Sequence, residues 1–339
     1  MPGGLRPFDR MRAHFWTVAP RLRQSLRPLA APPAEPWQTV VEDPTIGPVR
    51  LSGRLRHLRA GKARDAGGEE LVVLLHGLGG TIESHYMPRG ALAAEAAGLS
   101  CLRLSFRGAD SSGEDFYHAG LTADVHAALA SPELRRYRRI YLLGYSLGGH
   151  VALRFATEPG DPRVVRVAAL CSPLDLGRAQ EAIDAPDRWL YRRYLLSNLA
   201  RLYATVAARR PVPLPVAEVA RLRTLRDYDE RVVAPRHGFT GAADYYARAS
   251  VAPRLSRLRL PALLVNSSGD PMVLAHAVLS VLECPVPRLE VRWVAAGGHV
   301  SFPRGTELGL DLGGGSVAGG ANLTGRRIED QVLAWLRGG

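Results

Sequence analysis

The order of apolar and polar stretches along this 339-residue chain predicts an α/β fold: a mostly parallel central sheet flanked by helices, with a helical cap inserted late. Three observations carry that expectation. Short apolar runs of strand length alternate with helical stretches from 70 to 173. Those runs are apolar on both faces, as strands covered by helices on each side must be. The alternation then stops over 175–250 and resumes near 260.

Residues 1–36 form a basic, Pro-rich N-terminal segment that closes with PLAAPPAEPW. A short helix is expected near 10–26, followed by a linker. That helix carries Phe15, Trp16 and Val18, either as a clamp against its own domain or against lipid. The clamp is favoured because the amphipathic pattern is modest; peripheral membrane contact through the basic N-terminus stays as the other reading. Residues 37–339 then read as one domain with the cap at 175–250.

In PVRLSGRLRHLRA (48–60), Val49, Leu51, Leu55 and Leu58 interleave with polar residues, the period of an early antiparallel hairpin. ELVVLLHG (70–77) is the first buried strand, and MPRGALAAEAAG (87–98) a helix closed by Gly98. SCLRLSFRG (100–108) is a strand and AGLTADVHAALASPEL (119–134) a helix. RRIYLLGYS (138–146) is a strand, LGGHVALRFATE (147–158) a helix, and VVRVAALCSP (164–173) a strand. Residues 175–250 hold helical patches such as RWLYRRYLLSNLARLYATVAARR and no strong strand. An insertion there lies over the carboxyl ends of the strands, where open α/β sheets bind ligands. RLPALLVNSSGD (259–270) and RLEVRWVAAGGH (288–299) resume the sheet, with a helix at 274–282 between them. A Gly-rich loop at 305–325 precedes a closing helix at 324–338.

Composition narrows the function classes. With 46% hydrophobic and 22% charged residues the chain is that of a soluble globular protein. No run approaches the roughly 18 apolar residues of a membrane span, and the start lacks the apolar core and cleavage site of a secretory signal. Three scattered cysteines, Cys101, Cys171 and Cys284, support neither a disulfide framework nor a thiolate metal site. These features point to the cytoplasm. The net charge of +12 comes mostly from arginines spread along an Ala-, Gly- and Pro-rich chain, a compositional background. No basic motif interleaved with aromatics appears, so nucleic acid is not an expected partner. Nothing here sets the oligomeric state.

The chemistry starts at Gly144-Tyr145-Ser146-Leu147-Gly148, a G-x-S-x-G at a strand-to-helix junction. Such a turn holds a serine at its tip, and small residues two before and two after let strand and helix approach. The first N–H groups of the following helix face the serine and favour negative charge there. A serine hydroxyl needs a base, and the base needs an orienting acid. Asp270 in NSSGDP and His299 in AAGGHVSF each follow a strand, on the same sheet edge as Ser146 and in the order Ser, Asp, His. The competing readings are an Asx turn before Pro271 for Asp270 and an idle loop position for His299. Asp175 is an alternative acid. His126, His150, His237 and His276 take helical or surface roles, and no metal-ligand spacing occurs, so neither a metal nor a cofactor is expected. Backbone N–H groups of Leu147 and of Leu78, in HGLGG (76–80), are the candidate oxyanion donors. His76 buttresses that loop.

The chain resembles the α/β-hydrolases, and within them the YheT-like branch. HGLGG with ESHYM, FRG with YHAG, GYSLGG, SPLDL, LLVNSSGDP and GGHVSF all carry the likeness. YDERVVAPRHGFTGAADYYARAS, inside the insertion, makes it specific to the branch, and RAHFWT near the start resembles the family's entry segment. The resemblance implies a triad of Ser146, Asp270 and His299. It also implies a carboxylesterase or lipase-like activity on small-molecule esters with medium-chain acyl or lipid-like groups. Departures are Ala109, where relatives often carry Cys, and Trp16 in place of the usual Gln; nothing corresponds to the membrane anchor of the eukaryotic members. The alternatives are an acyltransferase working through the same acyl-enzyme, and a non-catalytic binding protein on this fold.

Overall fold

A computed structural model of the chain describes residues 7–58, 69–311 and 326–338. It opens with helix α1 (Pro7–Leu26) and a hairpin of β1 (Glu35–Asp43) and β2 (Gly47–Arg56). The alternating core follows: β3 (Glu70–Leu75), α2 (Met87–Ala96), β4 (Ser100–Ser105), α3 (Ala123–Ala130), β5 (Arg139–Tyr145), α4 (Leu147–Phe155) and β6 (Val164–Leu170). The cap comprises α5 (Leu176–Asp184), α6 (Trp189–Ala207), α7 (Val216–Val219), α8 (Leu225–Tyr228), a π-helical stretch Asp229–Val233, α9 (Ala234–Arg236) and α10 (Ala242–Ala249). β7 (Ala262–Ser267), α11 (Ala275–Leu279), β8 (Leu289–Val294) and α12 (Ile328–Arg337) complete the chain.

The eight strands form one sheet in the order β1-β2-β4-β3-β5-β6-β7-β8. β1, β2 and β4 pair antiparallel, and every pairing from β4 through β8 is parallel. β3, β4 and β7 are buried at every residue, their apolar side chains together with a few polar ones such as Glu70, Arg103 and Asn266. One apolar core packs between the sheet and the face carrying α3, α4 and the cap; the other packs α2 and α12 against the opposite face.

Two sequence expectations need correction. The hairpin is not contained in 48–60: that stretch supplies only β2, and its partner β1 begins inside the segment assigned to a linker. The inward residues of β1, Trp37 and Val41, are spaced among Glu, Gln and Pro, too thin an apolar signal to announce a strand. Its nine-residue register with β2 and the Asp43 side chain, which accepts the Thr45 and Ile46 N–H groups in the turn, supply the order instead. The helix expected at 119–134 is also shorter, with 119–122 forming a turn and Pro132–Leu134 a 3-10 turn. The end of the stretch 48–60, and most of the Gly-rich stretch 305–325, lie outside the described residues.

The cap is tied to the sheet by a buried ion network. The Arg107 guanidinium, with no exposed side-chain surface, donates to Asp124, Asp43 and Asp115. Arg236 of the cap donates two hydrogen bonds to the same Asp115, at 2.8 and 2.6 Å. Ions this deep persist only when every charge is paired, so the network fixes where the cap sits.

Candidate active site

Because β5, β6, β7 and β8 run parallel, the turns that follow them share one edge of the sheet. Ser146 is the single residue between β5 and α4, with φ +53° and ψ −121°. A non-glycine residue there is strained and must be held by its surroundings. The flanking glycines make the turn possible. A Cβ on Gly144 would sit 2.2 Å from the Gly148 carbonyl oxygen, and one on Gly148 would sit 2.3 Å from that of Leu75.

The structure brings the three sequence-singled residues together. His299 Nε2 lies 2.9 Å from Ser146 Oγ, and its Nδ1 lies 2.8 Å from Asp270 Oδ2. Asp270 Oδ1 accepts the N–H groups of Met272 and Val273 at 2.8 and 3.0 Å. The Asx-turn reading and the acid reading of Asp270 therefore coexist: one oxygen shapes the turn, the other meets the imidazole. Cys171 lies behind this pair, its thiol 3.7 Å from the Gly298 carbonyl and pushed well up by burial. Its sulfur and the donor atoms of Asp270 and His299 lie within 4.8 Å of one another. With His299 and Asp270 bonded to each other and the thiol protonated, that set suits an orienting pair better than a cation.

The loop after β3 passes directly against the serine. A Cβ on Gly77 would lie 3.1 Å from Ser146 Cβ. The N–H groups of Gly77, Gly79 and Gly80 are taken by Tyr86 Oη, Tyr117 Oη and the Gly77 carbonyl. Those of Leu78 and Leu147 have no acceptor among the described residues, and both residues line the same cavity as Ser146. His76 is completely buried. Its Nε2 accepts the Phe106 N–H, so Nδ1 carries the proton and donates to the Gly77 carbonyl at 2.9 Å. Burial lowers its pKa to about 4, keeping it neutral. It props the loop and has no route to the serine.

The other titratable candidates sit elsewhere. Asp175 caps α5, accepting the Arg178 N–H. His150 lies buried between the carbonyls of Pro173 and Ala249, and His237 meets the Phe116 carbonyl.

A cavity of about 620 Å³ opens above Ser146 and His299. Its lining is mostly apolar, with Leu176, Ile183, Leu195 and Leu199 among the side chains the cap contributes. Arg21, Glu83, His85 and His118 line it from outside the cap, and among the cap side chains Asp229 supplies a carboxyl. Asp229 opens the π-helical stretch, faces the cavity and accepts the Tyr246 hydroxyl at 2.7 Å; burial raises its carboxyl to about 7. Asp229 and the tyrosines around it lie in YDERVVAPRHGFTGAADYYARAS, the stretch that carries the branch likeness, but the sequence assigned none of them a role at the site.

The roof also includes α1, which no local signal placed there. Thr17 Oγ1 accepts the His299 backbone N–H at 2.9 Å and donates to the Ala13 carbonyl. A Cβ on Gly298 would sit 2.3 Å from that same carbonyl, so the helix lies directly on the histidine loop. The helix does clamp the domain, but through Ala13, Thr17 and Pro20; Phe15 is exposed, Trp16 is half-buried, and Val18 is part exposed and part of the cavity lining.

Comparison with known proteins places the fold. The family described as alpha/beta hydrolase fold matches residues 70–306. The YheT protein of Escherichia coli strain K12 is 33% identical over 251 residues, covering 70% of this chain and 72% of that protein. The medium-chain fatty acid ethyl ester synthase/esterase 2 of Saccharomyces cerevisiae is 27% identical over 286 residues, or 75% of this chain. Only 63% of the yeast protein's length is spanned. Among solved structures, a 2,6-dihydroxy-pseudo-oxynicotine hydrolase superposes with a TM-score of 0.55 at 19% identity. That match covers 93% of this chain and 70% of that one, and shows a shared fold.

Proposed function

This chain belongs to the α/β-hydrolase family, in its YheT-like branch, and from that premise we propose that it is a serine hydrolase of carboxylic esters with medium-chain or lipid-like acyl groups. One observation carries the reading: the hydrogen-bonded line from Ser146 through His299 to Asp270, at 2.9 and 2.8 Å, at the floor of an apolar cavity.

The chemistry follows from the geometry. His299 Nε2 accepts the hydroxyl proton as Ser146 Oγ attacks the ester carbonyl. Asp270 holds the imidazole with Nδ1–H pointing toward it and stabilises the cation that forms. The N–H groups of Leu78 and Leu147 take the developing oxyanion. His299 then protonates the leaving alkoxide, and the acyl chain stays on Ser146 beneath the cap. Water, deprotonated by His299, attacks the acyl-enzyme and releases the acid. The apolar lining supports an acyl chain over a charged substrate. The likeness to a medium-chain ethyl ester synthase/esterase supports the same chain length.

That relative's name also favours a second reading, in which an alcohol replaces water in the last step. Product analysis of p-nitrophenyl octanoate turnover with and without ethanol separates the two; ethyl octanoate as the main product would favour the transferase. The primary test is direct. A fluorophosphonate probe is expected to label Ser146. Ser146→Ala should abolish labelling and lower kcat on p-nitrophenyl butyrate and octanoate by on the order of 10⁴- to 10⁶-fold. Full hydrolysis by Ser146→Ala would overturn the assignment, and a folded wild-type protein without labelling or turnover would point to a binding protein.

A further inference from the structure

α1 has two faces of opposite use. Ala13, Thr17 and Pro20 are buried against the domain. Phe8, Met11, Phe15, Val18, Leu22 and Leu26 are exposed, from 44% at Val18 to 74% at Leu26. With about 100° between successive residues, these six occupy one sector roughly 80° wide, opposite the buried stripe. The same period puts Arg12 and Arg23 along one side of the sector and Arg10 and Arg21 along the other. At the start of α6, Trp189 and Leu190 are also exposed, at 55% and 53%. Val18, Leu22 and Leu190 line the cavity above Ser146 as well. The cavity lining is thus continuous with this exposed apolar surface, beside polar residues such as Arg21, Gln24, Ser25 and Glu83.

An apolar stripe of this size with arginines on both borders matches an anionic lipid surface: the stripe enters the acyl region and the guanidinium groups meet phosphates. The helix carries four arginines against one acid, Asp9. A second copy stacking on the same face would bring those arginine borders together, a like-charge arrangement. No described helix is long and apolar enough to cross a membrane, so α1 meets a bilayer lying flat.

We propose that the outer face of α1, with Trp189 and Leu190, docks on an anionic phospholipid surface, and that ester substrate passes from that surface directly into the cavity over Ser146. Docking stands on the surface itself; only the entry of substrate rests on the hydrolase reading above.

The test uses the full chain and a Met11→Glu/Phe15→Glu variant, whose two positions lie outside the cavity wall. Both are sedimented with vesicles of phosphatidylcholine alone and of equal parts phosphatidylcholine and phosphatidylglycerol. Both are also assayed on monomeric p-nitrophenyl butyrate and on an octanoate ester embedded in the mixed vesicles. The expected result is binding of the wild type to the mixed vesicles, weakened by about tenfold or more in the variant and by high salt. Turnover of the embedded ester should fall in step, with butyrate turnover within about twofold of wild type. Three results would overturn docking: no binding by the wild type, equal binding by the variant, or equal binding to neutral vesicles. So would an assembly of the wild type that the variant dissolves while neither binds vesicles. Vesicle binding without any ester turnover would leave docking intact and remove the hydrolase reading.

Discussion

The floor and the roof of the cavity over Ser146 are built by different means. The floor is backbone geometry: three turns after parallel strands, a serine at φ +53°, and glycines at positions where a Cβ would meet a carbonyl at little over 2 Å. The roof is side chains on helices: leucines, tyrosines and one carboxyl from the cap, and the underside of α1. A floor of this kind tolerates almost no change, because its positions are set by sterics and short hydrogen bonds. A roof of this kind can change its lining without moving the reacting atoms. Chemistry is therefore expected to depend on the floor and substrate choice on the roof.

The largest expected break in that division is the Ser146→Ala loss of turnover described above, which should occur with folding and substrate affinity retained. Next comes the roof. Leu195 is almost fully buried and lines the cavity, so Leu195→Trp fills part of the acyl space. KM for p-nitrophenyl octanoate should rise by about tenfold while butyrate turnover changes little, the scale of one or two methylenes in an apolar pocket. A uniform fall in kcat for both esters would deny the roof its separate role.

A smaller effect is expected where roof and floor touch. Thr17→Val removes the acceptor of the His299 N–H and leaves that group buried and unpaired. A loss of one buried hydrogen bond corresponds to about 1 kcal/mol. Turnover should fall by about threefold to tenfold with KM nearly unchanged, and Thr17→Ser should restore it. Failure of serine to rescue would make Thr17 a packing residue only.

The smallest effect concerns Asp229. Burial disfavours its anion and raises the carboxyl from 3.8 to about 7. Between those values the folded chain holds a proton that the unfolded chain has released, so Asp229 costs more stability as pH rises through the window, and the cost is constant above it. Asp229→Asn keeps an acceptor for Tyr246 and has no charge to bury. It should raise Tm over wild type by more at pH 8 than at pH 5. An equal gain at both pH values, or a loss that grows with pH, would show that the carboxylate is compensated by something in the cavity.

The parts of this architecture visible in the sequence are those with a local physical cause. Strands buried on both faces are mostly apolar, so the LVVLL of β3 and the ALLV of β7 announce themselves. The elbow needs glycines on both sides of Ser146, so its spacing is written in the chain. The strand β1 lacks such a cause: only alternate residues are buried, and its order comes from pairing with β2. Asp229 lies in the stretch that carries the branch likeness, yet its place at the cavity has no local signal, because a carboxyl facing a cavity differs from one facing water only through what surrounds it.

The sequence by itself determined the alternating α/β order and the residue types at the ends of β5, β7 and β8, which follow from periodicity or from sterics within a few residues; the family came from its resemblance to known hydrolases. Tertiary structure alone decided that α1 closes the cavity and seats the His299 loop, contacts that join residues 282 positions apart. It also decided that the larger apolar side chains of α1 face outward while its small ones face in. Helical period sorts residues into faces, but which face meets the protein depends on the shape it must fit. Here the backbone at Gly298 comes so close that only small side chains can lie against it.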